Sequence, residues 1–511
     1  MIPIPFLRTL LASLLLAPCL LPAAEAAQPR PNVLFIMADD LAASLGSYGH
    51  PLVKTPNLDK LAARGVRFQN AACQFPLCGP SRNSMLTGLY PNSSGILANG
   101  QLFRQTIPSH HSLPQAFRLQ GYFATRIGKL YHYNVPLSIG TNGHDDPGSW
   151  EMEINPTGVD RLDDLDDTFS LIPGNFGGTL SWHASSSPDE KHTDGLMARD
   201  AAWVLERAAR DKSRPFFLAL GFFRPHTPYI SPKSWFEGYP LDKMPVVQGV
   251  KEDQADLPKH ALGSYKKEQD KLTDDLRRQV MQAYYASISF MDAQAGYVLD
   301  ALDRLGLKDN TIVVFTSDHG YHMGEHGLWQ KQSLFEESAT VPLIMAGPGI
   351  AEGKVAKAPV GLIDLYPTLA ELCQVKAPAN LQGQSLAAML KDPTVTGRGW
   401  AVSQVVHGGG FKRVGASPAA GDKGKRIFGY SLRTPRWRYT EWAEGKEGRE
   451  LYDHDADPKE LTNLAEKAEH AGTVKDLSSQ LAGIVKTTFP PDGVTPAVKE
   501  TGMWAPNLTD P

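Results

Sequence analysis

At 511 residues the chain is long for one compact domain and sufficient for a large domain with a smaller one beside it. Composition is that of a soluble globular protein, 42% hydrophobic and 21% charged, and a formal net charge of -4 provides no bulk attraction to nucleic acid or to an anionic membrane. Recognition of an anion must therefore be local.

In chain order, Arg8, an apolar run from Leu10 to Leu21 and the small-x-small pattern Ala24-Glu25-Ala26 read as a signal peptide over residues 1–26, cleaved near Ala26. Export is expected, to the periplasm or the medium in a bacterium, or to the lysosome or the medium in a eukaryote. Pro18 interrupts the run, which is too short to span a bilayer comfortably, and no later stretch approaches about 20 apolar residues, so no stable membrane insertion is expected after cleavage. Cys73, Cys78 and Cys373 then remain, too few for a disulfide framework.

Residues 32–38 (NVLFIMA) form a continuous apolar run ending in acids, as expected of a strand buried on both faces of a parallel sheet. A helix follows over 57–63, stopped by Gly65, and the alternation repeats: helix 112–119 before strand 122–127, helix 196–210 before strand 215–223, and helix 273–305 before strand 311–316. A short strand over 341–346 precedes a helix over 364–372. The pattern predicts an α/β domain with a mainly parallel sheet flanked by helices, over 28–395. Between 136 and 192 periodicity fades into Gly, Pro, Asp and Ser, which marks a functional insertion or a mobile loop. From 396 to 511 short strand candidates such as FGYSLR and WRYTEW indicate a smaller domain on an antiparallel sheet.

Ligands of open α/β sheets sit beyond the carboxyl ends of the strands. Asp39 and Asp40 end the first strand, and Asp318 and His319 end TIVVFTS. Adjacent carboxylates repel unless a cation compensates, and three carboxylates with one imidazole would make an oxygen-rich site favouring Ca²⁺ or Mg²⁺. Alone, each pair has a bland reading, a helix cap or a turn before Gly320; their recurrence at two strand ends favours the metal. In Cys78-Gly79-Pro80-Ser81-Arg82, Pro80 suits the first turn of a helix and places Cys78 at its N-terminus, where an anion is favoured.

C-x-P-S-R followed by Leu86-Thr87-Gly88 resembles the signature of type I sulfatases, in which this cysteine is oxidised to formylglycine by a dedicated maturation enzyme. RPNVLFIMADDL, GKLYH, GFFRPHTPY, FTSDHGYHMGEHGLWQK and ELYDHDADPKELTNL extend the resemblance over most of the chain, and Asp-His-Gly at 318–320, with GKLYH and GYSLRTPRWRYTEW, is most similar to the iduronate-2-sulfatase branch. The resemblance implies an alkaline-phosphatase-like fold, metal ligation by Asp39, Asp40, Asp318, His319 and the converted Cys78, and Ca²⁺ as the usual ion. It also implies that Arg82 holds the hydrated formylglycine, Lys129 and Lys331 contact sulfate, His132 acts as base and His226 as acid. Arg224, Trp329 and Arg433 are candidate contacts to a sugar carboxylate or ring, and His322 and His326 are expected to line the pocket or support His319; HMGEH lacks the spacing of a helical zinc motif. The expected activity is hydrolysis of a carbohydrate sulfate ester, a uronate 2-O-sulfate of a glycosaminoglycan-like or algal saccharide. The alternatives are phosphonate or phosphate diester hydrolysis, or glycan binding by an unconverted protein.

Overall fold

The structure, a computed structural model, describes residues 30–408 and 425–499. The segment read as a signal peptide, residues 1–26, lies outside the described residues.

The main sheet is built in chain order from β1 (Asn32–Ala38), α1 (Pro56–Ala63), β2 (Val66–Ala72), α2 (Cys78–Thr87), α3 (Leu113–Leu119), β3 (Phe123–Gly128), β4 (Met152–Ile154), α4 (Thr193–Arg210), β5 (Phe216–Gly221), α5 (Asp274–Arg304), β6 (Thr311–Ser317), β7 (Thr340–Ala346) and α6 (Leu365–Leu372). Its strand order runs from the short strand Lys354–Ala356 through β2, β7, β6, β1, β5, β3 and β4. Strands β6, β1, β5, β3 and β4 are parallel. The exception is β7, antiparallel to both β6 and β2, so the mainly parallel reading holds with one reversal.

Every residue of β1, β5, β6 and β7 is buried, because helices cover both faces. Alternate residues supply two cores. Leu34, Ile36, Leu218, Leu220, Val313 and Phe315 pack with α4 and α5. Val33, Phe35, Met37, Phe217, Ala219, Ile312 and Val314 pack with α3 and α6. Local signals fix the helix starts: Ser112 Oγ accepts from the Gln115 N–H, and Thr273 Oγ1 accepts from the Leu276 N–H ahead of the acidic first turn of α5. No helix among the described residues is long and apolar enough to cross a membrane.

A second sheet, β8 (Ala401–His407), β9 (Ile427–Arg433), β10 (Trp437–Trp442) and β11 (Arg449–Asp453), is antiparallel throughout and is covered by α7 (Ala471–Thr487). Its other face meets the main unit through Phe75, Leu77, Leu328, Leu334, Phe335, Val405, Ile427 and Trp442. The Gly-rich region after Pro136 is less irregular than its composition suggests: it holds β4 and a small sheet of Phe169–Ser170, Ser181–Ser185 and Tyr229–Pro232. Cys73 and Cys373 are both buried and unpaired.

Candidate active site

The register of β1 on β6 pairs Ala38 with Ser317, so Asp39-Asp40 and Asp318-His319 leave the sheet side by side. Strands β3 and β5 end at the same edge, delivering Lys129 and the Phe222–His226 turn. Four adjacent parallel strands thus aim their carboxyl ends at one place, and α2 points Cys78 into it. Asp40 has a left-handed backbone, φ 63°, held by its N–H donating to Asp318 Oδ1 at 3.1 Å and its carbonyl accepting from Tyr284 Oη at 2.8 Å.

Cys78 Sγ lies 3.3 Å from His319 Nε2, 3.3 Å from Lys331 Nζ and 3.8 Å from Asp40 Oδ1. Arg82 ties the acids together: Nε donates to Asp318 Oδ2 at 2.8 Å, one terminal nitrogen to Asp39 Oδ1 at 2.9 Å and the other to the Lys129 carbonyl at 2.6 Å. Lys129 Nζ donates to Asp39 Oδ2 at 2.6 Å, and Lys331 Nζ spans both oxygens of Asp40 at 2.6 and 2.7 Å. His226 Nδ1 bonds the Thr227 carbonyl at 2.5 Å, which turns Nε2 toward Asp40 Oδ2 at 3.7 Å.

Burial opposes ionisation of the Cys78 thiol, yet Lys129, Lys331 and His319, with a hydrogen bond from His132, hold it well below its ordinary value. Asp39 is likewise pushed up by burial but held below the usual carboxylate range by Lys129, His226 and Arg82. Burial pushes Asp318 up against the pull of Arg82. Burial lowers His132 to about 4, so its imidazole is neutral near pH 7 and able to accept a proton. One ligand atom each from Asp40, Cys78, Asp318 and His319 lie within 4.8 Å of one another, and the same holds for Asp39, Asp40 and His226.

A pocket of about 440 Å³ opens over Asp40, and its wall includes His132, His226, Trp329 and Lys331. Of the expected substrate contacts Trp329 lines the pocket, while Arg224, His322 and Arg433 do not. Arg224 is not in that wall: it is 1% exposed, ion-paired with Asp160 at 2.7 Å, and donates to the Ile230 and His226 carbonyls, so it braces the turn that presents His226. Arg433 pairs with Glu336 at 3.2 Å beside a separate groove, since β9 lies in the second sheet. His322 is fully buried and bonded to Ser333 Oγ at 2.6 Å, and His326 sits between Asp253 and Glu337, stacked on Phe335. Neither histidine lines the pocket. His144, Thr179, Lys266 and Gln269 do line it, and none was singled out from sequence, because SYKKEQDK reads as a solvated charged face.

Comparison with known proteins agrees with this geometry. The sulfatase family model matches residues 31–375, and the model described as N-sulphoglucosamine sulphohydrolase, C-terminal, matches residues 324–487. A sulfatase of Formosa agariphila is 33% identical over 466 residues, covering 88% of this chain and 86% of that protein. Iduronate 2-sulfatase of Mus musculus is 30% identical over 554 residues, covering 93% and 99%. Among solved structures, a phosphonate monoester hydrolase from Silicibacter pomeroyi shares the fold, with a TM-score of 0.72 at 22% identity, over 92% of this chain and all of that one. A family model spanning most of the chain, and full-length relatives at this identity, establish that the chain belongs to the sulfatase family and is a sulfuric ester hydrolase.

Proposed function

We propose that the protein removes sulfate from a uronate 2-O-sulfate, through a formylglycine made from Cys78 and a divalent metal, Ca²⁺ or Mg²⁺, held by Asp39, Asp40, Asp318, His319 and residue 78. The observation that carries this reading is the setting of Cys78: at the head of α2, within 3.3 Å of His319 and Lys331 and 3.8 Å of Asp40. The donor set fits a hard cation, being rich in carboxylate oxygen, convergent and buried. Bound there, the metal supplies positive charge that acidifies an attacking hydroxyl and polarises the ester. A hydrated aldehyde at position 78 supplies two hydroxyls on one carbon, one to attack sulfur and one to release sulfate afterwards.

The remaining groups belong to the chain itself. Arg82 fixes Asp39, Asp318 and the Lys129 backbone as one rigid unit, so the reacting groups need no reorganisation. Lys129 and Lys331 stand at Asp39 and Asp40 and place ammonium charge where sulfate oxygens arrive. His132, neutral through burial, takes the proton of the second hydroxyl, and His226, with Nδ1 fixed by the Thr227 carbonyl, gives one to the leaving oxygen from Nε2. The uronate assignment is supported by similarity to iduronate 2-sulfatase over 93% of the chain. Residues 1–26 are read as directing export, and C-x-P-S-R as the sequence recognised by the maturation enzyme.

The test is desulfation of a panel containing a hexuronate 2-sulfate, a glucosamine 6-sulfate, an aryl sulfate and a phosphonate ester. Highest kcat/KM on the hexuronate is expected. Preference for the phosphonate would replace this reading with phosphonate or phosphate diester hydrolysis, and an unconverted Cys78 by intact mass would replace it with glycan binding.

A further inference from the structure

The cations of the charged cluster are already matched: Lys331 to Asp40, Lys129 to Asp39, and Arg82 to Asp39 and Asp318. Lys266 is not. It lines the pocket over Asp40 from the turn before Lys267–Lys271, and its Nζ donates to the carbonyl of Gly178, which lines the pocket too. Among the described residues no carboxylate lies within 4.0 Å of it. Of three N–H donors, one has a carbonyl to meet. A half-buried ammonium with so few partners is stabilised by an arriving anion more than a paired one is.

Two further groups in this wall lack partners. Thr179 Oγ1 and Gln269 Oε1 are buried without a hydrogen bond, on residues 5% and 6% exposed. The Gln269 amide nitrogen donates to the Trp329 carbonyl at 3.1 Å, which fixes the free oxygen in place. Burial lowers the pKa of Lys266, reinforced by the charge of Lys331 and opposed by Glu268 and Asp40.

We propose that Lys266, with the unpartnered Thr179 and Gln269 oxygens beside it, forms a second anion subsite that binds a negatively charged substituent of the sugar, a carboxylate or a further sulfate, distinct from the ester being cleaved. It rests on the reading of this pocket as the sulfate-ester site and narrows its substrate to a sugar carrying two negative charges. Thr179 and Gln269 then serve the hydroxyls between the two charges.

The experiment compares three substrates, a hexuronate 2-sulfate, a hexose disulfate and a neutral hexose 2-sulfate, with the wild type, Lys266→Gln and Lys266→Arg. The ratio of kcat/KM for a doubly charged substrate over the neutral one should fall roughly ten- to hundred-fold in Lys266→Gln, mostly through KM, and largely survive in Lys266→Arg. Which charged substrate shows the fall tells carboxylate from sulfate. An unchanged ratio for both overturns the subsite while leaving the sulfatase reading intact. If no sulfate ester is turned over, calorimetric binding of the hexuronate 2-sulfate and the neutral hexose 2-sulfate to Cys78→Ala, with and without Lys266→Gln, decides separately: charge-selective binding lost with Lys266 supports the subsite, and binding indifferent to it overturns it.

Discussion

Cys78 sits where two demands meet, a buried sulfur and a ring of charge. The thiol is 1% exposed and surrounded by Lys129, Lys331 and His319, an environment that stabilises a negative group and serves a sulfate as well as a thiolate. Conversion to formylglycine is expected to appear as a loss of about 18 Da in the peptide containing residue 78, and Cys78→Ala should abolish turnover while leaving Tm unchanged. Cys78→Ser should release one equivalent of alcohol and then stall, because a lone hydroxyl has no second oxygen on its carbon to expel sulfate. Arg82→Lys tests the rigid unit. Lysine cannot reproduce a fork that bridges two carboxylates and a carbonyl, so we expect kcat/KM to drop by more than about a hundredfold, with a loss of roughly 1.5–3 kcal/mol in denaturant unfolding from the charged hydrogen bonds no longer made to Asp318 and Asp39, the latter still paired with Lys129. Retention of either quantity would show that Arg82 is not what holds Asp39 and Asp318 together.

At the scale of elements, function depends on where strands stop. Gly128 closes β3 at φ 71°, and a Cβ there would stand 2.2 Å from Met197 Cε and 2.6 Å from the Gly221 carbonyl of β5. Gly128→Ala is therefore predicted to cost about 2–4 kcal/mol and, by shifting the next residue, Lys129, to lower kcat more than KM rises. A purely thermal effect, with normal kcat at low temperature, would contradict it. The loop between β6 and β7 carries a pH-dependent contribution. Burial pulls His326 down, but Asp253 and Glu337 on either side raise it to about 11, above the ordinary value of 6.5. A cation with a raised folded pKa adds stability in full below 6.5 and loses it as pH climbs toward 11. The Tm deficit of Asp253→Asn should accordingly be several degrees near pH 6 and shrink by pH 10; a deficit constant with pH would assign Asp253 a packing role alone.

Across the whole molecule the two sheets are joined by charge as well as by apolar contact. Arg438 of β10, 1% exposed, pairs with Glu460 beyond β11 and with Glu336 just before β7, and Glu460 also accepts from His454 at 2.7 Å. These groups lie on both sides of the junction, so Arg438→Ala removes the cation shared by two acids, which keep Arg433 and His454, and is expected to destabilise the protein by about 1.5–3 kcal/mol. Unfolding in one cooperative transition, shifted as a whole, is the expected readout; a separate early transition confined to the second sheet would mean that the junction is not shared.

Strands β1, β5, β6 and β7 of the main sheet were legible in sequence because double burial leaves them largely apolar, as in NVLFIMA and TIVVFTS. The helices were legible from caps and spacing. Strand β2, VRFQNAA, was not, because its polar Arg67, Gln69 and Asn70 break the run, and its pairing with β7 over a long sequence separation has no local signal. The charged cluster was nameable because acids and a His-Asp pair terminate apolar runs, and because C-x-P-S-R is a contiguous stretch of sequence. Arg224 and Arg433 show the limit: an arginine near a motif reads alike whether it meets a ligand or a buried carboxylate, and only packing against Asp160 or Glu336 distinguishes them. Sequence by itself determined the chemistry, a cysteine at a helix start and acids at strand ends, since these are properties of neighbours along the chain. The tertiary structure alone decided which side chains share the pocket, and so that Lys266 has no carboxylate beside it among the described residues, because convergence of loops as far apart in sequence as Asp40 and Lys331 is set by the register of parallel strands and not by any local pattern.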